Sequence, residues 1–374
     1  MMEKTSYSAL STLRSCPQRW QYVHVRGIEE VDRPTPERDL GIWWHAIQAQ
    51  RSILRGEEFR TLHFRPKYLS TPAGRVLSES DLPTLIERWW RSLPAETQKA
   101  HTEVWRGPVQ DRLDQLAQLW ITENQEAASR EKVLGVEVRW ERALLPGVKM
   151  VGYVDEITWD EDRQAVIVRD HKTSKSLAMK SHLDDLLDSQ LALYAWGIRP
   201  LLERWGFPPG VRIIGSYDRV RTLPPKTPKL NLDGTLSRSV QDFDLATYLD
   251  FVGEGRPYPG RAKDGSGAGV YVAEESVVEK LSSPAWREQW MDRYDVTLSK
   301  RMIESHLQAA RDSALTLEGT RSRAEETGEA GRNMGYGCKW CPFAKLCAAE
   351  LVGGLVDHDS LDLYGVRLRE TRRP

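Results

Sequence analysis

Cysteine is scarce in this sequence. Four stand among 374 residues, Cys16, Cys338, Cys341 and Cys347, too few and too dispersed for a disulfide-stapled secreted scaffold. The expected setting is therefore a reducing cytoplasm. Long apolar runs are missing as well. No stretch of ~18 apolar residues occurs, so neither a membrane-spanning helix nor a membrane partner is expected. The opening MMEKTSYSAL lacks the apolar core of a secretory signal. Net charge is nearly absent: 53 Lys and Arg against 54 Asp and Glu give −1. That excludes a bulk polycation coating nucleic acid and leaves room for a local basic groove. Internal repeats and low-complexity blocks are absent too. What remains, 40% hydrophobic and 29% charged, is the composition of an ordinary globular chain. Its length suits two to three domains at ~150 residues each.

Periodicity divides the chain. Leu10, Leu13, Trp20 and Val23 recur at helical spacing across 6–26. Ser6 or Ser8 supplies an N-cap, and Cys16-Pro17 interrupts the helix. A second helix spans 40–56, and 82–134 reads as mostly helical. The period then falls to two. Residues 135–145, 149–160 and 164–173 read as strands, the last two joined by a turn at Asp160–Arg163. The run Ala165-Val166-Ile167-Val168 fits a strand buried on both faces. An amphipathic helix covers 184–206 and a further strand 211–220. Residues 222–238 and 253–269 read as loops, 270–326 as helical, and the basic tail from 365 as frayed.

Acidic residues end two of these strands. Asp155 lies on one, and Asp170-His171-Lys172 closes the next. Alternation sends Asp170 and Lys172 to one face and His171 to the other. If the strands pair through the 160–164 turn, two carboxylates and a lysine converge. Hard oxygen ligands of this kind suit Mg²⁺ or Mn²⁺. A D-x-K triplet is also common on solvated strands, where an ion pair is worth ~0–1 kcal/mol. Here, however, Asp170 ends the most apolar strand of the chain, a costly place for charge.

Six pieces in order give a resemblance. They are Ser-x-Leu with Cys-Pro-x-x-Trp (Ser11 to Trp20), Gly41-x-x-x-His45, Gly152-Tyr153-Val154-Asp155, Asp170-His171-Lys172, Gln190-x-x-x-Tyr194, and the C-terminal cysteines. Together they resemble the PD-(D/E)xK nuclease superfamily, in its RecB-like branch of AddB-type and CRISPR-associated or phage exonucleases. The resemblance implies catalytic roles for Asp155, Asp170 and Lys172. It implies metal ligation by His45, Asp155, Asp170 and the backbone carbonyl of His171, and DNA placement by Gln190 and Tyr194. Glu137 ranks below these, as a position where relatives often carry glutamate. Without the resemblance, His45 reads as a half-buried histidine beside Trp43 and Trp44, and Tyr194 as a core aromatic.

The cysteines leave alternatives open. Cys338-x-x-Cys341 can share one metal centre, and Cys347 and Cys16 bring the thiols to four. Spacing does not separate structural zinc from iron, and inert thiols are a third reading. The resemblance implies a [4Fe–4S] cluster on Cys16, Cys338, Cys341 and Cys347 that joins the two ends of the chain. Fourteen tryptophans permit base stacking, although most sit in amphipathic helices. The basic clusters at Arg219 and Arg221, Lys226 and Lys229, and Arg261 and Lys263 read as solvated surface.

The expected fold is α/β: a restriction-endonuclease-like core, its small mixed central sheet flanked by helices. The expected divisions are N-terminal helices over 1–55, a helical insertion over 56–130, the nuclease core over 131–250, and a C-terminal helical and iron–sulfur segment over 251–374. The expected function is a Mg²⁺- or Mn²⁺-dependent DNA nuclease, an exonuclease on single strands or DNA ends. Its place would be recombination, repair or CRISPR adaptation, with helicase or adaptation proteins as partners. The alternative is a catalytically idle DNA-binding or docking subunit scaffolded by the cysteine cluster.

Overall fold

The structure is a computed structural model that describes residues 3–31, 36–56, 63–64, 81–177, 187–229, 237, 242–253, 273–354 and 356–369. A short strand β1 (Glu3–Ser6) leads into α1 (Tyr7–Ser15), where the Ser6 side chain accepts from the Ala9 N–H as the N-cap. The chain breaks at Cys16 and restarts as α2 (Pro17–Trp20), because proline suits a first helical turn and no later one. A π-helical turn (Gln21–Val25), β2 (Ile28–Glu30) and the long α3 (Pro36–Gly56) follow. After β3 (His63–Phe64) come α4 (Asp81–Ser92), α5 (Ala95–Trp105) and α6 (Val109–Arg130). Three strands succeed them: β4 (Glu131–Leu145), β5 (Val148–Asp160) and β6 (Ala165–Ser174). The remainder is α7 (Gln190–Arg204), β7 (Arg212–Arg221), α8 (Leu245–Gly253), α9 (Glu275–Ser282), α10 (Pro284–Arg287), β8 (Met291–Thr297), α11 (Lys300–Thr327), α12 (Ala344–Leu351) and β9 (Val366–Leu368).

Seven strands form one mixed sheet in the order β3-β4-β5-β6-β7-β8, with β1 parallel on β5. β6 and β7 run parallel, while β4 with β5, β5 with β6 and β7 with β8 are antiparallel. The fold is thus α/β, with helices on both faces. One apolar cluster joins α1, α7 and α11 to the sheet through Val138, Trp140, Val154, Val166 and Val168. The other packs α3, α4, α5 and α6 through Leu40, Trp44, Trp120, Val136 and Val220. Ala165 through His171 are all buried, as expected of a strand covered on both sides.

Several expectations are corrected. Residues 131–134 open β4 instead of closing a helix, and Met291–Thr297 is a strand within a span expected to be helical. Charge hides both. Glu131 is buried against Arg169, and Asp292, Arg293 and Asp295 pair with Arg219, Asp218 and Arg163. A strand whose charges are satisfied internally does not alternate apolar with polar. The rest of the span expected to be mostly helical, up to residue 130, is three helices. Residues 184–186 of the expected helix, 254–269 of the expected loop, and Arg261 and Lys263 lie outside the described residues.

Candidate active site

The site forms where the sheet forks. β6 pairs with β5 only from Asp160↔Ala165 to Glu156↔Arg169 and then diverges. Farther back on β5, β1 pairs at Val148–Val151. Asp155 lies just beyond the last β6 rung. Its Oδ2 accepts the His171 backbone N–H at 2.8 Å, a side-chain bond in place of a ladder bond. The carboxylate therefore ties the diverging strands together.

Glu137 occupies the neighbouring strand at the same level. The β4–β5 ladder pairs Val136 with Glu156 and Val138 with Val154, which leaves Glu137 and Asp155 between them. Glu137 has φ 49°, in the left-handed region that non-glycine residues seldom enter. Alternation breaks here. Val136 belongs to the apolar cluster under α3, yet Val138 belongs to the one under α7. In an unbroken strand both would share a face. From α3, His45 approaches Asp155 with Nδ1 3.5 Å from Oδ2. One ligand atom each from His45, Glu137 and Asp155 lies within 4.8 Å of the others, the one such group of His, Cys, Asp or Glu among the described residues.

Asp170 and Lys172 follow on β6, side by side on the face toward α7. Lys172 Nζ is 2.6 Å from Asp170 Oδ2 and donates to Gln190 Oε1 at 2.9 Å. Gln190 Nε2 donates to Asp170 Oδ1 and to the Tyr194 hydroxyl, both at 2.8 Å. One glutamine at the start of α7 thus holds the lysine, the aspartate and the tyrosine one helical turn on. Burial pushes the Asp170 carboxyl up, helped by Asp155, while Lys172 opposes it; the net shift is upward. Burial alone would depress the Lys172 ammonium, but Asp170 and Asp155 outweigh it and hold the ammonium above its ordinary value. Burial, then Asp170 and Asp155, drives the Tyr194 phenol well upward, so it stays protonated. These groups and Ser6, Tyr7, Ser8 and Tyr153 line a cavity of about 410 Å³.

His171 turns the other way. Its ring is buried with Nδ1 3.6 Å from Asp218 Oδ2, and burial pushes its pKa down to about 4 against the pull of Asp218 and Glu156. Beside it lies a buried ionic network that the sequence reading missed. Arg169 binds Glu156 and, at 2.7 Å, Glu131; Arg293 binds Asp218 at 3.1 Å; and Ser52 of α3 donates to Glu156 at 2.7 Å. The missed signal was the alternation itself, which sends Arg169 and His171 to the face opposite Asp170 and Lys172.

The four cysteines come together across the chain. Cys16, Cys338, Cys341 and Cys347 line one cavity of about 300 Å³ between the α1–α2 junction and the segment leading into α12. No three of these thiols lie within 4.8 Å of one another among the described residues. Four ligands at ~2.3 Å from one tetrahedral zinc would stand ~3.8 Å apart.

Residues 4–210 match the family described as the PD-(D/E)XK nuclease superfamily. Among solved structures, the chain is similar to a phage related exonuclease from Haemophilus somnus 129PT. The identity is 13% and the TM-score 0.24, over 66% of this chain and 90% of that one, a likeness too slight to carry an argument. No curated protein matches the chain.

Proposed function

The chain belongs to the PD-(D/E)XK nuclease superfamily, and we propose that it is a metal-dependent deoxyribonuclease of the RecB-like branch, acting on single strands or DNA ends. The observation that carries this reading is the pairing of two groups in one cavity. His45, Glu137 and Asp155 form a compact ligand set, and Asp170, Lys172 and Gln190 form a bonded trio beside it.

The donor set is hard oxygen plus one imidazole, which suits Mg²⁺ or Mn²⁺. A bound divalent ion supplies Lewis-acid charge and lowers the pKa of a ligated water. His45, Glu137 and Asp155 would hold it, with Asp170 and the His171 carbonyl completing the set. The chain's own groups do the rest. Lys172 stays cationic because Asp170 and Asp155 hold its proton. Its side chain remains about one-third exposed, so the ammonium offsets charge that grows on a phosphodiester oxygen. Gln190 fixes the lysine and keeps Asp170 in place. Tyr194, protonated and bonded to Gln190, gives the cavity wall a neutral donor.

The cysteine cavity is proposed to hold a [4Fe–4S] cluster. The convergence of all four cysteines on one cavity supports a shared metal group there, and the family resemblance favours the cluster over zinc. Recombination, repair or CRISPR adaptation is the proposed setting, with helicase or adaptation proteins as partners.

The test is end-labelled single- and double-stranded DNA with anaerobically purified protein, with and without Mn²⁺. Lys172→Ala and Asp170→Ala are expected to abolish metal-dependent cleavage while melting within a few degrees of the parent. Wild-type cleavage by Asp170→Ala overturns the assignment. A brown preparation absorbing near 400 nm supports the cluster; a colourless one that holds zinc removes it.

A further inference from the structure

The segment 330–349 leaves the protein surface unusually apolar and unusually basic at once. Tyr336 is 79% exposed and Trp340 72% exposed, with Met334 at 73%. Large aromatic rings seldom stand this far into water without a partner surface. The same segment holds Lys339 and Lys345, while its Arg332 is paired with the flanking Glu329 and Glu350. Lys339 Nζ lies 5.5 Å from the Trp340 ring centroid, and no carboxylate pairs with Lys339 or Lys345 among the described residues.

The position of this patch is fixed by α1. Asn333 donates to the Arg14 carbonyl at 3.3 Å and to the Ser15 carbonyl at 3.0 Å, at the C-terminal end of that helix. The N-terminal end of α1 places Ser6, Tyr7 and Ser8 on the active-site cavity. Nine residues at ~1.5 Å rise make α1 roughly 13 Å long. Arg14 is exposed near its far end.

We propose that Tyr336 and Trp340 form a stacking platform for single-stranded nucleic acid, on the segment tied to the end of α1 away from the active-site cavity. The rings take bases, and Lys339, Lys345 and Arg14 take phosphates. A protein partner would explain the exposed rings equally well; Lys339, Lys345 and Arg14, which pair with no carboxylate among the described residues, favour a phosphate backbone. The inference rests on the nuclease reading and deepens it, by naming where the strand is gripped before or after cleavage.

The test separates grip from chemistry. Binding of a fluorescein-labelled oligo(dT) 20-mer is measured without divalent metal on the full chain. Turnover of thymidine 5′-(p-nitrophenyl phosphate) is measured with Mn²⁺ and needs only the catalytic cavity. Tyr336→Ala/Trp340→Ala is expected to weaken oligonucleotide binding by about 30-fold or more, as two lost stacks imply. Its ester turnover and melting temperature are expected to match the parent. Tyr336→Phe/Trp340→Phe is expected to restore binding, since phenyl rings still stack. Lys172→Ala is expected to do the reverse: full binding, no turnover. Undiminished binding by the double alanine variant overturns the platform. So does a change in oligomeric state or partner capture with DNA affinity intact, because that marks a protein interface. Parent protein that binds through the two rings but never turns over the ester keeps the platform and sinks the nuclease reading. Parent protein that turns over the ester without binding the 20-mer does the opposite.

Discussion

Glu137 shows how much one residue can hide. A left-handed backbone costs ~1–2 kcal/mol for a residue with a Cβ, and Glu137 accepts that cost beside Asp155 and His45. Glu137→Gly is expected to raise the unfolding free energy read from a urea titration by about 1 kcal/mol. It should also abolish any rise in melting temperature on adding Mn²⁺; a retained rise would take Glu137 out of the ligand set. On the opposite face, burial pushes Asp218 upward, but Arg293 and Arg169 overcome it and hold the carboxyl below its ordinary range. A depressed folded pKa gives stability that is complete above about pH 4 and drains away as the pH falls through the folded value. Asp218→Asn is therefore expected to melt well below the parent at pH 6, with the gap narrowing between pH 4 and pH 2 in thermal scans. The sequence made Asp155, Asp170 and Lys172 readable because strand alternation is a two-residue rule. Glu137 was only half readable. Nothing in a one-letter code announces a positive φ, and its role depends on a neighbour eighteen positions away.

At the scale of elements, α7 and the sheet are keyed by Trp140. The indole lies between Gly152 of β5 and Gly197 of α7. A Cβ on Gly197 would meet it at 2.3 Å and one on Gly152 at 2.7 Å. Tyr194 and Trp196 close the ring edges at 6.2 and 6.0 Å between centroids. The glycine of the Gly152-Tyr153-Val154-Asp155 motif thus has a packing reason as well as a place beside the acid. Gly197→Ala is expected to cost ~1–3 kcal/mol by overpacking. Because α7 carries Gln190 and Tyr194, turnover should fall along with melting temperature. Turnover at the parent rate would show that the helix shift does not reach the trio. The long periodic helices and the three central strands were legible. β1, β2 and β9 were not, because strands of three or four residues carry too short a pattern. β8 was masked by charges that find partners on β7 and in the turn after β5.

Across the whole molecule, the two sequence-distant parts of the chain are held together independently of the thiols. Glu350 of α12 accepts from the Tyr22 hydroxyl at 2.6 Å and pairs with Arg26 at 2.5 Å, and Gln18 and Gln21 both accept from the Ala330 N–H. β2 and β9 zip the same two regions in an antiparallel pair. Glu350→Ala is expected to destabilise by about 2–4 kcal/mol through its charged hydrogen bonds. Limited proteolysis should then cut the 330–354 region sooner than in the parent, and an unchanged digestion pattern would refute the latch. The family resemblance implied that two distant stretches belong together; the Glu350 contacts had no sequence pattern to reveal them. The latch also has a timing consequence. Asn333 sits 319 positions after Arg14, and synthesis adds ~5–20 residues per second. The first helix thus leaves the ribosome roughly 15–60 s before its anchor exists. Until the anchor arrives, α1 is held only by β1 on β5 and by its apolar packing on the sheet, so a half-made copy carries that wall of the catalytic cavity without its C-terminal clamp.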